Sequence, residues 1–182
     1  MATSKKPSTT RKSASKQDAV ALLKADHREV EGWFGQFEKS RSDEKKADLA
    51  QKICKALTVH MKIEEDLFYP AFLEATSDKE LHHEAEVEHD GAKKLIAEIE
   101  ASGPEDDYYD AKVKVLSEMI KHHVKEEEQR EGMFAEARDS EMDLKTLGEQ
   151  MQARKKELMN GGVSTRPNRG LMSKLGSLAT GN

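Results

Sequence analysis

Four histidines interrupt apolar helical stripes in this sequence, and two of them are followed by a glutamate four residues later. The histidines are His27, His60, His89 and His123, and the glutamates are Glu64 and Glu127. Residues at positions i and i+4 are neighbours on one face of a helix, so an imidazole and a carboxylate at this spacing can bind one ion. A buried carboxylate is costly unless a positive group compensates it. The six side chains therefore predict a buried metal site.

The same residues form an internal near-repeat. His27 and His60 are 33 residues apart, and His89 and His123 are 34 residues apart. Each half ends in the pattern His-x-x-x-Glu, so each would supply two imidazoles and one carboxylate. This arrangement predicts two metal ions, with bridging carboxylates and oxo, hydroxo or water ligands completing the coordination.

The ligand types narrow the choice of metal. Paired histidine and carboxylate ligands inside a helical bundle, without thiolate, are typical of non-haem iron or manganese centres. Zinc is also compatible with histidine and glutamate. We expect iron, with manganese and zinc as the less favoured metals.

Two positions leave an alternative open. His122 also has an acidic residue four positions later, Glu126, so spacing alone does not choose between His122 and His123. The apolar stripe of the helix favours His123, because His122 is rotated by about 100° from it. Glu86 lies three residues before His89, a spacing also found in di-iron carboxylate bundles, and is kept as a reserve ligand. His82 and His83 begin the same helix and are predicted to lie on the surface.

Apolar residues at steps of three and four predict the helices that must position these ligands. The predicted segments run from about 17 to 40, from 43 to 75, from a capping box at Ser77 and Glu80 to Gly103, and from Pro104 to 138. Short links make neighbouring helices antiparallel, so the fold class is all-α, an up-down four-helix bundle. A weaker helix at 142–159 is expected to lie across the bundle or to bind a partner.

Composition sets the domain limits. We predict a disordered basic tail at 1–16, the bundle at 17–138, an accessory helix at 139–159 and a flexible tail at 160–182. The tails carry five and three basic residues and no acid, which leaves 22 basic and 35 acidic residues elsewhere. Neither tail interleaves aromatic residues with its charges, so we expect no specific nucleic-acid binding. A protein partner could use the tails or the accessory helix.

Several classes of protein are excluded by the sequence. No apolar run approaches the ~20 residues that span a bilayer, and the first residues lack the apolar core of a secretory signal. The single cysteine, Cys54, rules out an internal disulfide and is interpreted as a structural helix residue. We therefore expect a cytoplasmic protein without membrane insertion.

Four motifs in order resemble the haemerythrin-like, HHE cation-binding family. They are KADHREVE around His27, VHMKIEEDLFYPA at 59–71, EAEVEHDGAKKLI at 84–96 and HHVKEEE at 122–128. The resemblance implies a four-helix bundle with a non-haem di-iron centre, and it assigns the ligand role to the six residues named first. It covers about residues 17–138.

The sequence departs from the oxygen-carrying members of that family. They place a further histidine one turn before His89, where this chain has Ala85, and they end the fourth motif with aspartate where it has Glu127. We therefore expect a di-iron protein that binds, senses or reduces oxygen, peroxide or nitric oxide rather than a simple oxygen carrier. Whether it is an enzyme stays open, and Tyr69 is a candidate donor behind the ligands.

Two other functions remain as alternatives. The first is a non-enzymatic bundle that binds metal or stores iron and acts as an interaction or stress-related module. The second is a metal-free stress-related bundle.

Overall fold

Seven α-helices and one π-helical segment make up residues 17–161, the part of the chain that the computed structural model describes. The helices are α1 (Ala19–Lys39), α2 (Asp43–Ile63), α3 (Tyr69–Thr76), α4 (Lys79–Glu100), α5 (Tyr109–Glu128), α6 (Met133–Asp139) and α7 (Leu144–Gly161), and the π segment is Glu64–Phe68. The predicted all-α bundle with an additional C-terminal helix is confirmed. The tail predicted at 1–16 lies outside the described residues, as does the tail predicted at 160–182 except for residues 160 and 161, which belong to α7.

The start and end of α1 follow from local hydrogen bonding. The Asp18 carboxylate caps the helix by accepting a hydrogen bond from the Ala21 backbone N–H at 2.7 Å. The helix ends where Ser40 adopts an extended conformation. In the same way, the Ser42 hydroxyl accepts from the Lys45 N–H and begins α2.

The helix predicted from 43 to 75 is not regular throughout. A π-helical turn begins at Glu64, one of the predicted ligands, and ends at Phe68, two residues before Pro70. Proline has no N–H to donate, and its ring collides with the carbonyl four residues earlier, so a regular α-helical ladder cannot pass through it unchanged. The π turn absorbs this defect, and turns of this kind are frequent at functional sites.

The predicted capping box at Ser77 is wrong. Asp78 is the N-cap of α4, and its carboxylate accepts hydrogen bonds from the backbone N–H groups of Glu80 and Leu81 at 2.9 and 3.1 Å. Ser77 instead ends α3 in the left-handed conformation, with φ of 61°. The link between the helices is too short to leave Ser77 free to cap the second one.

The fourth predicted helix begins later than Pro104, at Tyr109, and breaks before 138. The chain leaves the helix at Gln129, which is extended, and resumes as α6. Gly132 lies so close to the preceding helix that a Cβ there would be 2.1 Å from the Glu126 carbonyl oxygen. Phe134, on α6, returns toward α1, where its ring stacks on that of His27 with centroids 5.8 Å apart.

The accessory helix α7 packs across the bundle against α1, α2 and the π segment. Leu147, Gly148 and Met151 are buried there. A Cβ at Gly148 would lie 2.6 Å from the Gln17 carbonyl oxygen, so this close approach requires glycine. The remaining faces of α7 are largely polar.

Two apolar clusters occupy opposite ends of the bundle. One cluster is built from residues such as Phe34, Ile53 and Leu116, and the other from residues such as Leu23, Phe68 and Phe134. Along α1 and α4, the predicted histidine ligand comes between residues of one cluster and those of the other. None of the described helices is long and apolar enough to cross a membrane.

Candidate metal centre

The structure brings all six predicted ligands into one buried layer. Four helices each contribute one histidine, and the two glutamates come from the start of the π segment and the end of α5. None of the six is more than 5% exposed. Their number and position match the sequence prediction, while the metal role itself stays a prediction.

The first half of the layer centres on the α1 and α2 histidines. His27 Nε2 and His60 Nε2 are 3.1 Å apart. Glu64 Oε1 lies 3.3 Å from His60 Nε2, and Glu127 Oε2 lies 3.4 Å from His27 Nε2. These four atoms surround one point, as the ligands of one ion would.

The second half contains the α4 and α5 histidines, whose ring centroids are 4.9 Å apart. Here Glu64 Oε2 lies 3.4 Å from His89 Nε2, and Glu127 Oε1 lies 3.6 Å from His123 Nε2. Each carboxylate therefore turns one oxygen toward each half. The sequence repeat predicts the two imidazole pairs, but the structure shares both carboxylates between them.

The donor atoms of the layer fit a pair of cations. Both oxygens of Glu64, both oxygens of Glu127 and His123 Nε2 are buried without a hydrogen-bond partner among the described residues. Such groups are rare in folded proteins because each has lost its water. Two divalent ions between the halves would satisfy all of them.

Burial and the charges within the layer shift the pKa values of its members. Burial and the neighbouring charge of Glu64 raise the pKa of Glu127 well above its usual value. Burial and the nearby charge of His60 lower the pKa of His27 to about 4. His27 is thus neutral near pH 7, the state in which an imidazole binds metal.

A ring of four further carboxylates holds the histidines in place. Each accepts a hydrogen bond from the Nδ1 of one histidine: Glu128 from His27 at 2.8 Å, Asp26 from His60 at 3.5 Å, Glu65 from His89 at 3.0 Å and Glu88 from His123 at 2.7 Å. A carboxylate only accepts, so each Nδ1 carries a proton and each Nε2 faces the interior, where it can bind a cation once it is deprotonated.

Sequence reasoning missed these four acids, although a signal was present. Each stands directly beside a predicted ligand, as Asp26 stands beside His27 and Glu65 beside Glu64. Each serves the histidine of a different helix, so that the contacts run from α1 to α2, to α4, to α5 and back to α1. Adjacent positions on a helix point about 100° apart, which turns the second acid toward the neighbouring helix.

The reserve ligand Glu86 does not join the layer. Its side chain is 56% exposed and lies 3.6 Å from His82 Nδ1. The prediction that His82 is a surface residue is wrong as well, because its ring packs edge-on against Tyr69 with centroids 5.6 Å apart. His83 is exposed, as expected.

Tyr69 reaches the layer directly. Its hydroxyl lies 3.1 Å from His89 Nε2, and the residue is buried. Burial and the charge of Glu64 raise the pKa of the phenol well above its usual value, so the hydroxyl stays protonated. The Tyr69 hydroxyl thus contacts the Nε2 side of His89, while the Nδ1 side donates to Glu65.

The fold and the site together define an antiparallel helical bundle with a buried histidine and carboxylate cluster suited to cations. The Hemerythrin HHE cation binding domain family matches residues 18–135. The chain therefore belongs to this family. Helix α7 lies outside the matched segment.

Two relatives place the chain in context. A crystal structure of an HHE cation binding domain-containing protein from Mycobacterium kansasii has a TM-score of 0.60 and 20% identity, covering 82% of this chain and 96% of that one. This likeness shows the shared fold. A DNA nickase from Nostoc is 27% identical over 122 residues, which are 65% of this chain and 33% of the nickase. The chain thus spans about a third of that protein.

Proposed function

We propose that this protein holds two iron ions between Glu64 and Glu127 and uses them to bind, sense or reduce oxygen, peroxide or nitric oxide. The observation that carries the proposal is the pair of buried carboxylates whose four oxygens lack partners and are flanked by four imidazoles. The family's cation-binding character supports it.

The number and type of donors favour two ions of iron. Six protein ligands leave positions free on a metal pair, even when both carboxylates bridge. Nitrogen and oxygen donors without thiolate are typical of non-haem iron. Manganese and zinc are the less favoured alternatives. When bound, iron supplies vacant coordination positions and electrons for a small ligand.

A small cavity adjoins the layer and limits what could reach it. Its volume is about 10 Å³, and all four histidines line it together with apolar side chains that include Val30, Leu57 and Met61. A space of this size holds about one water-sized molecule. Oxygen, peroxide and nitric oxide are close to this limit, whereas larger substrates are not.

A surface groove between α1 and α5 gives such molecules a route. The groove has a volume of about 270 Å³ and shares His27, Ile120 and Val124 with the cavity. Ile120 and Val124 are half-buried, while the other apolar residues of the cavity wall are buried. These two side chains therefore separate the groove from the cavity, and a small change in their rotamers would admit a diatomic molecule.

The protein itself supplies a proton donor at the opposite half. The Tyr69 hydroxyl is protonated, buried and directed at the layer. We infer that it donates a hydrogen bond to a small ligand bound there, with Glu65 fixing the orientation of His89 beside it.

The same burial disfavours two other functions. A nuclease must bring its metal to a phosphodiester, yet no ligand of this layer is more than 5% exposed, so the nickase activity is not carried over to this chain. Storage of iron requires many ions or easy exchange, and the layer offers room for two. The non-enzymatic module therefore remains the weaker alternative.

We propose the reducing cytoplasm as the compartment, because the one cysteine of the chain, Cys54, cannot form an internal disulfide. Cys54 is buried, and burial raises the pKa of its thiol to about 12, so it is an inert core residue. This agrees with the reducing cytoplasm that we propose.

Spectroscopy of the iron-loaded protein tests the function. Anaerobically loaded protein should change its visible spectrum with nitric oxide, and the oxidised form should consume peroxide or bind azide. His60→Ala should lose these responses, while the exposed control His83→Ala should keep them. A loaded wild-type protein that responds to none of these molecules would overturn the proposal.

A further inference from the structure

The ring of four carboxylates is completed by a helix from outside the family's matched segment. Two of its members pair with cationic side chains of the long bundle helices, Glu65 with Lys93 of α4 and Glu128 with Arg28 of α1, and Glu88 lies 3.4 Å from the Nε2 of His122 on α5. The fourth, Asp26, pairs with Lys155 of α7. Each metal-facing histidine is thus backed by an acid, and each acid by a base.

The contact of Asp26 with its histidine is the loosest of the four. Asp26 accepts from His60 Nδ1 at 3.5 Å, whereas the other three contacts measure 3.0 Å or less. Asp26 is also 8% exposed, so its charge needs a partner inside the protein. Lys155 is that partner, and without it the carboxylate would be free to turn away from His60.

A second ion pair attaches α7 nearby without touching a histidine. Arg154 donates from Nε and Nη2 to Asp66 Oδ2 at 3.1 and 3.0 Å. The adjacent Lys156 is exposed and has no ion pair or hydrogen bond within residues 17–161. These neighbours provide matched controls for Lys155.

We propose that Lys155 is a positioning residue of the metal centre, which acts through Asp26 on the orientation of His60 and makes α7 a working part of the site. This inference rests on the proposed metal binding. It predicts that the Lys155 ammonium group strengthens iron binding by the first half of the layer. This effect is separate from any role of Lys155 in holding α7 to the bundle.

The test compares Lys155→Met with Lys156→Met and Arg154→Met in the full chain. Anaerobic titration with ferrous iron gives the dissociation constant. The melting temperature with iron minus the melting temperature with chelator gives the increment due to metal. We expect Lys155→Met to weaken iron binding about tenfold, the lower end for groups behind a ligand. That loss, about 1.4 kcal/mol, should reduce the increment by about 3–6 °C.

The controls separate positioning from simple attachment. Arg154→Met should lower the melting temperature of chelated and loaded protein alike and keep the increment, and Lys156→Met should change neither. Lys155→Arg should restore most of the affinity. In the double variant Asp26→Asn/Lys155→Met, affinity should be no weaker than in Asp26→Asn alone, because the two residues act in series.

The possible results are distinct. An unchanged increment in Lys155→Met, or additive losses in the double variant, would overturn the role of Lys155 while leaving the metal centre intact. A wild-type protein with no metal-dependent increment would instead overturn the proposed function and this inference with it. If Lys155→Met does not fold, the affinity of Asp26→Asn relative to wild type decides, since an unchanged value contradicts the proposal.

Discussion

The two halves of the ligand layer contain the same residue types but have different surroundings. His27, in the first half, also lines the groove between α1 and α5, and the histidines there approach each other to 3.1 Å. The second half is covered by Tyr69, whose hydroxyl lies against His89 Nε2. A repeat in sequence has therefore produced an asymmetric site, with an approach at one half and a hydrogen-bond donor at the other.

What joins the halves is the pair of carboxylates. Each has one oxygen toward the first half and one toward the second. The asymmetry therefore lies in the surroundings, and a substitution of either carboxylate should weaken metal binding in both halves.

The largest effect is expected from Glu64→Ala. Removing a carboxylate that serves both halves should abolish tight binding of both ions, with an affinity loss of about 100-fold or more, because a ligand matters at least as much as the groups behind it. Metal analysis after gel filtration measures the occupancy. Glu86→Ala, which removes an exposed glutamate, is the control and should keep full occupancy. Loss of only one ion in Glu64→Ala would show that the halves do not share it.

Chelation should destabilise the wild-type protein strongly. Binding at 100 times the dissociation constant adds about 2.7 kcal/mol of stability, which corresponds to about 5–10 °C in melting temperature for a chain of this size. The double variant His27→Ala/His123→Ala removes one imidazole from each half and should respond little to chelator. Equal chelator sensitivity of both proteins in thermal denaturation would contradict a metal bound at this layer.

Acid should weaken metal binding because protons compete with the ion for the imidazoles. Most of this pH dependence should come from His60 in the first half. Burial would lower the pKa of His60, but the charge of Glu64 and the hydrogen bond to Asp26 outweigh it and raise that pKa to about 10. His60 is therefore protonated in the metal-free protein at neutral pH, and an incoming ion must displace this proton. Affinity should rise about tenfold per pH unit between pH 6 and 8 for one displaced proton.

Proton release can be measured directly. Adding ferrous iron to weakly buffered metal-free protein should release at least one proton per chain, and His60→Ala should release fewer. Affinity that does not change with pH would contradict this assignment.

The smallest effect is expected at the second half. Tyr69→Phe removes the hydroxyl and keeps the ring, so iron content should not change. Azide binding to the oxidised protein should weaken about tenfold, the value of one hydrogen bond to a charged group. Unchanged azide affinity would place the ligand at the first half alone. Because the aromatic packing is preserved, the melting temperature serves as the control for folding.

The sequence predicts the ligands well because helical periodicity constrains them. A polar residue that interrupts an apolar stripe must face the core, so the stripe alone distinguishes His123 from His122. Their convergence into one layer then follows from a bundle of antiparallel helices. The order of the four histidine-bearing helices follows from the same periodicity.

Other features depend on tertiary contacts that periodicity does not contain. Pro70 indicates a disturbance in the second helix, but not that a π turn begins at Glu64. The break after Glu128 depends on the close approach of Gly132 to the preceding helix. Asp26 and Glu65 look like ordinary surface acids until the neighbouring helix is placed beside them. The position of α7 against Asp26 likewise has no local signal.

The stoichiometry of metal binding tests the central claim most directly. Metal-free protein loaded anaerobically with ferrous iron and freed of excess should contain about two iron ions per chain, because both carboxylates face both halves. Equal loading in Glu86→Ala and much lower loading in Glu127→Ala would locate these ions in the buried layer. One ion or fewer in the wild-type protein would contradict the two-metal site.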